Sequence, residues 1–151
     1  MKLSHLKQIA TYLENFTKIS AIYRVNDTTI KISFDKNDDI YFDMQRSNSK
    51  IFRCQAYSRS KVYNAPFDVL LAKRFTRSNI LGVELLNSDK ILRFKTSVAS
   101  AYKEEITYLQ FEFTGNIQIS FFLMKKILYL KHYAMLICYL RFVKLELVKN
   151  S

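Results

Sequence analysis

The sequence predicts an α+β domain built on an antiparallel sheet that extends to Gly115. Apolar residues recur at helical spacing near the N-terminus and again after the only proline, Pro66. Short runs of β-branched and aromatic residues lie between and after these stretches, and turn-forming residues separate them. With 49% hydrophobic residues among 151, the chain is long enough to bury one core and too short to predict two domains.

Two helices are predicted. Ser4 is a suitable N-cap for a helix over residues 6–16, because apolar residues follow it every three or four positions: Leu6, Ile9, Leu13 and Phe16. Pro66 suits the first turn of a second helix. Its predicted buried stripe is Phe67, Leu70, Leu71 and Phe75, and its predicted outward cations are Lys73, Arg74 and Arg77.

The strands are predicted as hairpins. The first three β-rich runs read as an antiparallel meander, and a fourth follows them before the second helix. Three more strands follow that helix. The last of them alternates, with Leu109, Phe111 and Phe113 on the predicted buried face and Tyr108, Gln110 and Glu112 on the predicted solvent-exposed face. The predicted runs are residues 19–25, 28–34, 40–44, 51–55, 80–86, 91–98 and 106–113.

The charge of the chain predicts an affinity for polyanions. A formal net charge of +11 raises the local concentration of RNA, DNA or an anionic membrane surface, although an incidental Lys-rich composition would give the same number. One basic segment also carries rings that could stack on bases while its cations follow a phosphate backbone. An ordinary solvated loop fits this segment equally well: Arg46, Lys50, Phe52, Arg53, Tyr57, Arg59, Lys61 and Tyr63.

No catalytic or metal-binding pattern is found in the sequence. Cys54 and Cys138 lie in regions of different character, which predicts reduced thiols rather than a disulfide framework or a metal cluster. The two histidines have no companions at metal-ligand spacing, and two glycines are too few for a phosphate-binding loop. We therefore predict no enzymatic activity, no metal and no cofactor. The N-terminus lacks the continuous apolar block of a secretory signal, which predicts a cytoplasmic protein.

Four segments, taken in order, resemble a known family. They are the opening helix, YRVNDTTIKISF, PFDVLLAKRFTRSNILGVELLNSDKILRF and YLQFEFTG. Together they resemble the N-terminal domain of the NFACT family, the bacterial ribosome quality-control factors also known as fibronectin-binding protein A-like, over most of residues 1–115. The resemblance implies a fold similar to the N-terminal domain of formamidopyrimidine-DNA glycosylases, an antiparallel β-sandwich with flanking helices. Those glycosylases use an N-terminal proline, whereas this chain begins Met1-Lys2-Leu3, so lyase chemistry is not expected.

The resemblance also implies partners and site residues. A full-length member binds the large ribosomal subunit carrying a stalled peptidyl-tRNA and recruits tRNA to extend the nascent chain. The family's Asp-Arg motif, linked to tRNA binding, falls on Asp89-Lys90, where lysine keeps the charge but lacks the planar fork of arginine. Lys73 and Arg74 match the family's basic helix, and with Arg77 they are possible RNA or ribosome contacts. The older family name implies an alternative, a surface protein that binds fibronectin or fibrinogen, and the charge alone would suit a generic nucleic-acid binder.

The composition changes after Gly115. Residues 116–151 carry six Lys and Arg residues against one acid, Glu146, whereas residues 1–115 carry 18 against 12. Back-translation of this segment with AT-rich codons, read one nucleotide out of phase, gives KYTNIIFLDEKDIIFEALRH, which resembles the family's continuation. We interpret residues 1–115 as a truncated family domain and residues 116–151 as an aberrant, basic and hydrophobic tail produced by a frameshift.

The tail is expected to lack a selected structure. Without selected turns it is expected to form a makeshift helix or to aggregate. Its longest uncharged run is too short to span a bilayer, which takes roughly 20 residues. A helix lying on a membrane surface is an alternative, but apolar residues would surround that helix rather than line one face.

Overall fold

The computed structural model describes residues 2–45, 48–54, 61–86, 90–99, 104–113, 118–128 and 135–146. These ranges contain two α-helices and nine strands, which agrees with the predicted α+β class. In chain order the elements are α1 (Leu3–Leu13), β1 (Lys18–Asn26), β2 (Thr29–Phe34), β3 (Asp39–Asp43), β4 (Lys50–Arg53), α2 (Pro66–Phe75), β5 (Ser78–Leu85), β6 (Ile91–Ala99), β7 (Glu104–Glu112), β8 (Gln118–Leu128) and β9 (Met135–Glu146).

Helix α1 begins three residues earlier than the sequence predicts. Ser4 lies inside the helix, and Lys2 occupies the N-cap position without a side-chain capping bond. The backbone starts the helix instead, because Leu6 N–H donates to the Lys2 carbonyl at 3.1 Å. Phe16 follows the end of α1 but is only 4% exposed, so the last apolar residue of the predicted stripe reaches the core from a turn.

Helix α2 begins at Pro66, as predicted, because proline fixes a helical φ where no intrahelical N–H bond is needed. Phe67, Leu71 and Phe75 are buried on its inner face. Leu70 is only partly buried, and the first turn buries Asp68 as well, which the sequence did not predict. The inner face of α2 is therefore mixed, with one carboxylate among its apolar side chains.

The nine described strands form one antiparallel sheet in the order β4-β3-β2-β1-β5-β6-β7-β8-β9. The predicted meander is confirmed, because β1 pairs with β2, β2 with β3 and β3 with β4. The first half of the sheet, β1 to β4, joins the second half, β5 to β9, through β1 and β5. That joint consists of two residue pairs, Lys18 with Asn79 and Ile19 with Ser78.

The two halves of the sheet fold over each other. The ring centroids of Phe42 in β3 and Phe111 in β7 lie 4.5 Å apart, with their planes at 16°. These strands are five positions apart in the sheet, which would separate them by roughly 24 Å if the sheet were flat. Phe94 in β6 also meets Phe42, at 6.1 Å. An aromatic core therefore fills the space between the two inner faces, and the helices contribute Leu6, Leu13, Leu71 and Phe75 to it.

The two faces of β7 agree with the predicted alternation except at one residue. Leu109, Phe111 and Phe113 are buried, as predicted. Gln110 was predicted to be solvent-exposed, but only 8% of its surface is exposed. The guanidinium of Arg93, one strand away, covers it and donates to Gln110 Oε1 at 3.0 and 2.8 Å.

The described part of the tail forms strands, so the expected helix is wrong. β8 pairs with β7 over seven residue pairs from Ile106–Met124 to Glu112–Gln118, and β9 pairs with β8. Ile119 has 0% exposure and belongs to the core. An open edge of β7 is a template for pairing, and the Ile, Phe and Tyr residues of the tail favour strands. The frameshift concerns the gene and stays a prediction.

The turn that leads from β2 to β3 fixes the start of β1 through one carboxylate. Asp35 Oδ1 accepts from the backbone N–H groups of Thr17 and Lys18 at 3.1 and 3.4 Å, and Asp35 Oδ2 accepts from Thr17 Oγ1 at 2.9 Å. Burial alone would raise the pKa of Asp35, but the donors from Thr17 and Lys18 outweigh it and lower the pKa below its ordinary 3.8. The turn therefore favours the charged form of Asp35.

A test of this turn follows from the lowered pKa. The stability that Asp35 contributes is present above the pKa of the unfolded chain and is lost as pH falls through the lower pKa of the folded chain. We expect Asp35→Asn to lose less stability than the wild type on acidification from about pH 5 to about pH 3. Urea denaturation midpoints measured across this pH range test the expectation, with Glu14→Gln at the end of α1 as the control. If the midpoints of the wild type and Asp35→Asn fell in parallel with pH, the expectation would be contradicted.

Candidate binding surfaces

The basic end of α2 consists of Lys73, Arg74 and Arg77. Lys73 and Arg77 are exposed. Arg74 is half-buried, and its Nη1 donates to Glu105 Oε2 at 3.1 Å, which ties the end of α2 to β7. Two of the three cations therefore face solvent, while the third is paired with a carboxylate of β7.

Lys90 lies at the far end of the β5–β6 hairpin from the basic end of α2. Arg77 directly precedes β5, and Lys90 directly precedes β6. Because β5 spans eight residues, the two positions are roughly 25 Å apart. The structure does not bring Lys90 together with the α2 cations, and Asp89 lies outside the described residues. These cations can contact two separate phosphates but not the same one.

Arg77 offers a way to remove charge without weakening the fold. Its φ is 61°, in the left-handed region, just beyond the end of α2. Glycine adopts this conformation without the roughly 1–2 kcal/mol cost of other residues, which exceeds its extra unfolded-state entropy of about 0.4–1 kcal/mol. We expect Arg77→Gly to raise the free energy of unfolding by about 0.5 kcal/mol in urea denaturation.

The matched control is Lys73→Gly, which removes the same charge inside the last turn of α2. It should cost about 1 kcal/mol, because glycine is a poor helix former. Equal destabilisation by both substitutions would contradict the role assigned to the backbone at Arg77.

An outer aromatic row crosses the first half of the sheet. Tyr23, Lys31, Tyr41 and Phe52 lie directly opposite one another on β1, β2, β3 and β4. Lys31 Nζ donates to Tyr23 Oη at 3.1 Å, and the rings of Tyr41 and Phe52 stack at 5.3 Å. Lys50 Nζ lies 5.3 Å from the centroid of Phe52. Cations of the chain itself therefore contact the rings of this row.

The outer aromatic row also perturbs two titrating groups. Burial alone would lower the pKa of Lys31, but its hydrogen bond to Tyr23 and the nearby carboxylate of Asp39 raise the pKa above its ordinary value. Burial raises the pKa of Tyr41, and the charge of Lys31 opposes that change. Both shifts favour the charge states of neutral pH, so Lys31 stays protonated and pairs with Asp39.

A second cluster joins α1 to β4. The guanidinium of Arg53 lies 4.7 Å from the centroid of Tyr12 and donates to Asp38 Oδ2 at 3.1 Å. Tyr12 Oη donates to the same oxygen at 2.9 Å. Asp39 turns away from this cluster, and its Oδ2 lies 3.5 Å from Lys31 Nζ. This cluster could not be predicted from residue spacing, because Tyr12 and Asp38 are 26 positions apart.

The ring of Tyr63, between β1 and α2, contacts two cations. The centroid of its ring lies 4.3 Å from the Arg24 guanidinium and 4.9 Å from Lys61 Nζ. The described part of the basic segment thus places Lys50, Arg53 and Lys61 over aromatic rings. Arg46, Tyr57 and Arg59 lie outside the described residues.

No metal-binding group of three or more His, Cys, Asp or Glu side chains occurs among the residues that the structure describes. Cys54 carries a free thiol and is half-buried in the same part of the chain. Neither described helix is long and apolar enough to cross a bilayer. The features that the described surface does offer are cations, rings and a strand edge.

Solved structures share this fold. The N-terminal domain of the fibronectin-binding protein PavA from Streptococcus pneumoniae matches with a TM-score of 0.71 at 15% identity, over 91% of this chain and 58% of that one. The N-terminal part of the fibronectin/fibrinogen-binding protein from Streptococcus suis matches with a TM-score of 0.68 at 19% identity, over 86% and 49%. The fibrinogen-binding protein from Staphylococcus aureus matches with a TM-score of 0.63 at 11% identity, over 76% and 43%. No protein-family model and no curated protein sequence matches the chain.

These matches establish the fold of the chain. The chain spans about half the length of the three structures. The PavA match covers 91% of this chain, whereas residues 1–115 make up only about three quarters of it. The shared fold therefore continues beyond Gly115, into the strands of the tail.

Proposed function

We propose that this chain is a binding domain without enzymatic activity and that its first ligand class is fibronectin or fibrinogen. The observation that carries the proposal is the shared fold, because all three structural neighbours bear the name of a fibronectin- or fibrinogen-binding protein. The exposed cations described above and the exposed ring of Tyr12 provide contact groups for a protein surface.

A second ligand class is RNA, supported by the net charge of +11 and the resemblance of residues 1–115 to the NFACT N-terminal domain. In this proposal the chain is a fragment of a cytoplasmic ribosome quality-control factor. It binds tRNA and the large ribosomal subunit with a stalled nascent chain, and it supports C-terminal tailing. Lys90 at one end of the β5–β6 hairpin and Lys73 with Arg77 at the other would contact separate phosphates. The glycosylase-like fold that the resemblance implies also stays a prediction.

Titration of the full chain with fibronectin, fibrinogen, tRNA and duplex DNA separates these ligand classes. The titrations are repeated from about 50 to about 300 mM salt, because contacts to phosphates weaken steeply with salt. Glycoprotein binding that persists at high salt supports the first class, and a preference for tRNA over duplex DNA supports the second. If the chain bound tRNA and duplex DNA equally, with a steep salt dependence, and bound neither glycoprotein, both ligand classes would be rejected. The chain would then be a generic nucleic-acid binder that acts through its charge alone.

The Asp89-Lys90 pair has its own test. We expect Asp89→Ala combined with Lys90→Ala to weaken tRNA binding by about threefold to tenfold, the loss of one phosphate contact, without unfolding the domain. The pair lies between β5 and β6 in the sequence, and Lys90 is not one of the core residues. Lys95→Ala, which removes an exposed cation from β6, is the control for charge. Unchanged tRNA affinity in the double variant would remove this site.

A further inference from the structure

A groove of about 350 Å³ lies between α1 and β4. Ile9 and Leu13 from the helix and Ile40 and Ile51 from the strands give it an apolar lining. Leu13 and Ile40 are buried, whereas Gln8 and Arg53 are exposed and form its rim. The groove is large enough for an apolar side chain and is open at its rim.

The groove runs beside the first strand of the sheet. β4 is the terminal strand, and in the described part of the chain it pairs with β3 alone. A terminal strand offers backbone donors and acceptors along its outer edge, to which an extended segment can add as a further strand. Alternate side chains of such a segment would point to the side on which the groove lies.

The charges at β4 favour an acidic segment. Arg53 is 56% exposed in its side chain, and its bond to Asp38 uses Nη2. A guanidinium has five N–H donors in a fork that suits carboxylates, so it can hold a second carboxylate beside Asp38. Lys50 is exposed at the other end of β4, roughly 10 Å away. Lys50 and Arg53 are three residues apart and point to opposite faces of β4, so carboxylates on both sides of an apolar residue, one directed to each face, would complement these two cations.

We propose that the groove between α1 and β4 docks an extended peptide segment that carries an apolar side chain flanked by carboxylates. The apolar side chain enters the groove, the backbone adds to the edge of β4, and the carboxylates contact Arg53 and Lys50. The proposal rests on the first ligand class proposed above, because it assigns the contact through which a protein ligand would bind.

Three labelled peptides test the chemistry of the groove by fluorescence anisotropy with the full chain. The first is Glu-Glu-Val-Leu-Val-Glu-Glu, the second replaces every glutamate by lysine, and the third replaces Val-Leu-Val by Ser-Gly-Ser. We expect the first peptide to bind and the other two to bind at least about tenfold more weakly. Failure of the first peptide to bind at millimolar concentration, or equal binding of all three, would overturn the proposal.

Two variants of the chain locate the contact. Gln8→Trp places a large ring at the rim of the groove, and Arg53→Glu reverses the charge there. Each should weaken binding of the first peptide by about tenfold or more. Thr11→Trp on an exposed position of α1 and Lys95→Glu in β6 are the matched controls and should leave affinity within about twofold. If Lys95→Glu lost as much affinity as Arg53→Glu, the peptide would be attracted by net charge and the proposal would be wrong. If Gln8→Trp kept full affinity, the peptide would bind outside the groove, which would also overturn the proposal.

Titration of the same variants with fibronectin and fibrinogen separates this proposal from the proposed function. If the wild type binds neither glycoprotein but binds the first peptide in the groove, the first ligand class is wrong and the docking site stands. If a glycoprotein binds and both groove variants retain its full affinity, the docking site is wrong and the ligand class stands. Far-UV circular dichroism and urea midpoints confirm that each variant is folded.

Discussion

Asp68→Ala should lower the free energy of unfolding by about 3–5 kcal/mol, because it leaves the charge of Arg24 buried without its partner. Arg24 Nε donates to Asp68 Oδ1 at 2.9 Å and Nη2 donates to Oδ2 at 2.6 Å, so the pair is bidentate. The side chains are only 13% and 5% exposed. Solvent therefore cannot replace the lost carboxylate, and the ring of Tyr63 against Arg24 restricts access further.

The double variant Arg24→Met with Asp68→Leu separates the cost of an unpaired charge from the net value of the pair. Replacing both partners by apolar side chains of similar volume should restore most of the lost stability, since buried ion pairs are often nearly neutral overall. Arg53→Ala is the control, because its pair with Asp38 is exposed and should contribute about 1 kcal/mol or less. A loss below about 1 kcal/mol for Asp68→Ala in urea denaturation would contradict the burial argument.

Phe42→Ala should cost about 3–5 kcal/mol, because it opens a cavity where the two halves of the sheet meet. Phe42 has 0% exposure, and its ring contacts Phe94 and Phe111 from the second half. Urea denaturation of the variant measures this loss.

Phe52→Ala is the matched control for the core substitution. It deletes the same atoms from the neighbouring strand, but Phe52 is half-buried on the outer face. We expect a loss of about 1–2 kcal/mol, because the ring already contacts water and leaves no closed cavity. Equal losses for the two phenylalanines would contradict the larger cost assigned to the closed cavity at Phe42.

The sequence predicted those parts of the fold that depend on local chemistry. Pro66 fixed the start of α2, and alternating residues identified the buried face of β7. The end of α1 was misplaced because Phe16 continues the apolar spacing into a turn, and spacing alone does not distinguish a turn from a helix. The tail was expected to be helical because its own residues carry no turn signals, whereas its partner strand β7 decides its conformation.

Contacts between residues far apart in the chain could not be predicted from the sequence. Arg24 and Asp68 are 44 positions apart, and no spacing rule connects a strand cation to the first turn of a later helix. The groove could not be predicted for the same reason, since Ile9 and Ile51 meet only after the helix packs on the sheet. Arg74 looked like a free cation of a basic helix, and only the position of Glu105 shows that it is paired. The sequence therefore identified the charged residues of the candidate surfaces, but it did not predict which residues pair with them.

The narrow joint between β1 and β5 has a consequence for the chain as a polypeptide. The first half, α1 with β1 to β4, ends at Arg53, and the second half, α2 with β5 to β9, begins at Pro66, so each half is one continuous stretch. The backbone ladder between them has only two residue pairs, and the interlocked phenylalanines and the buried Arg24–Asp68 ion pair add side-chain contacts between the halves. Cleavage between the halves would thus leave two complementary fragments whose reassociation depends on ring packing and on the Arg24–Asp68 ion pair, a natural basis for a split reporter.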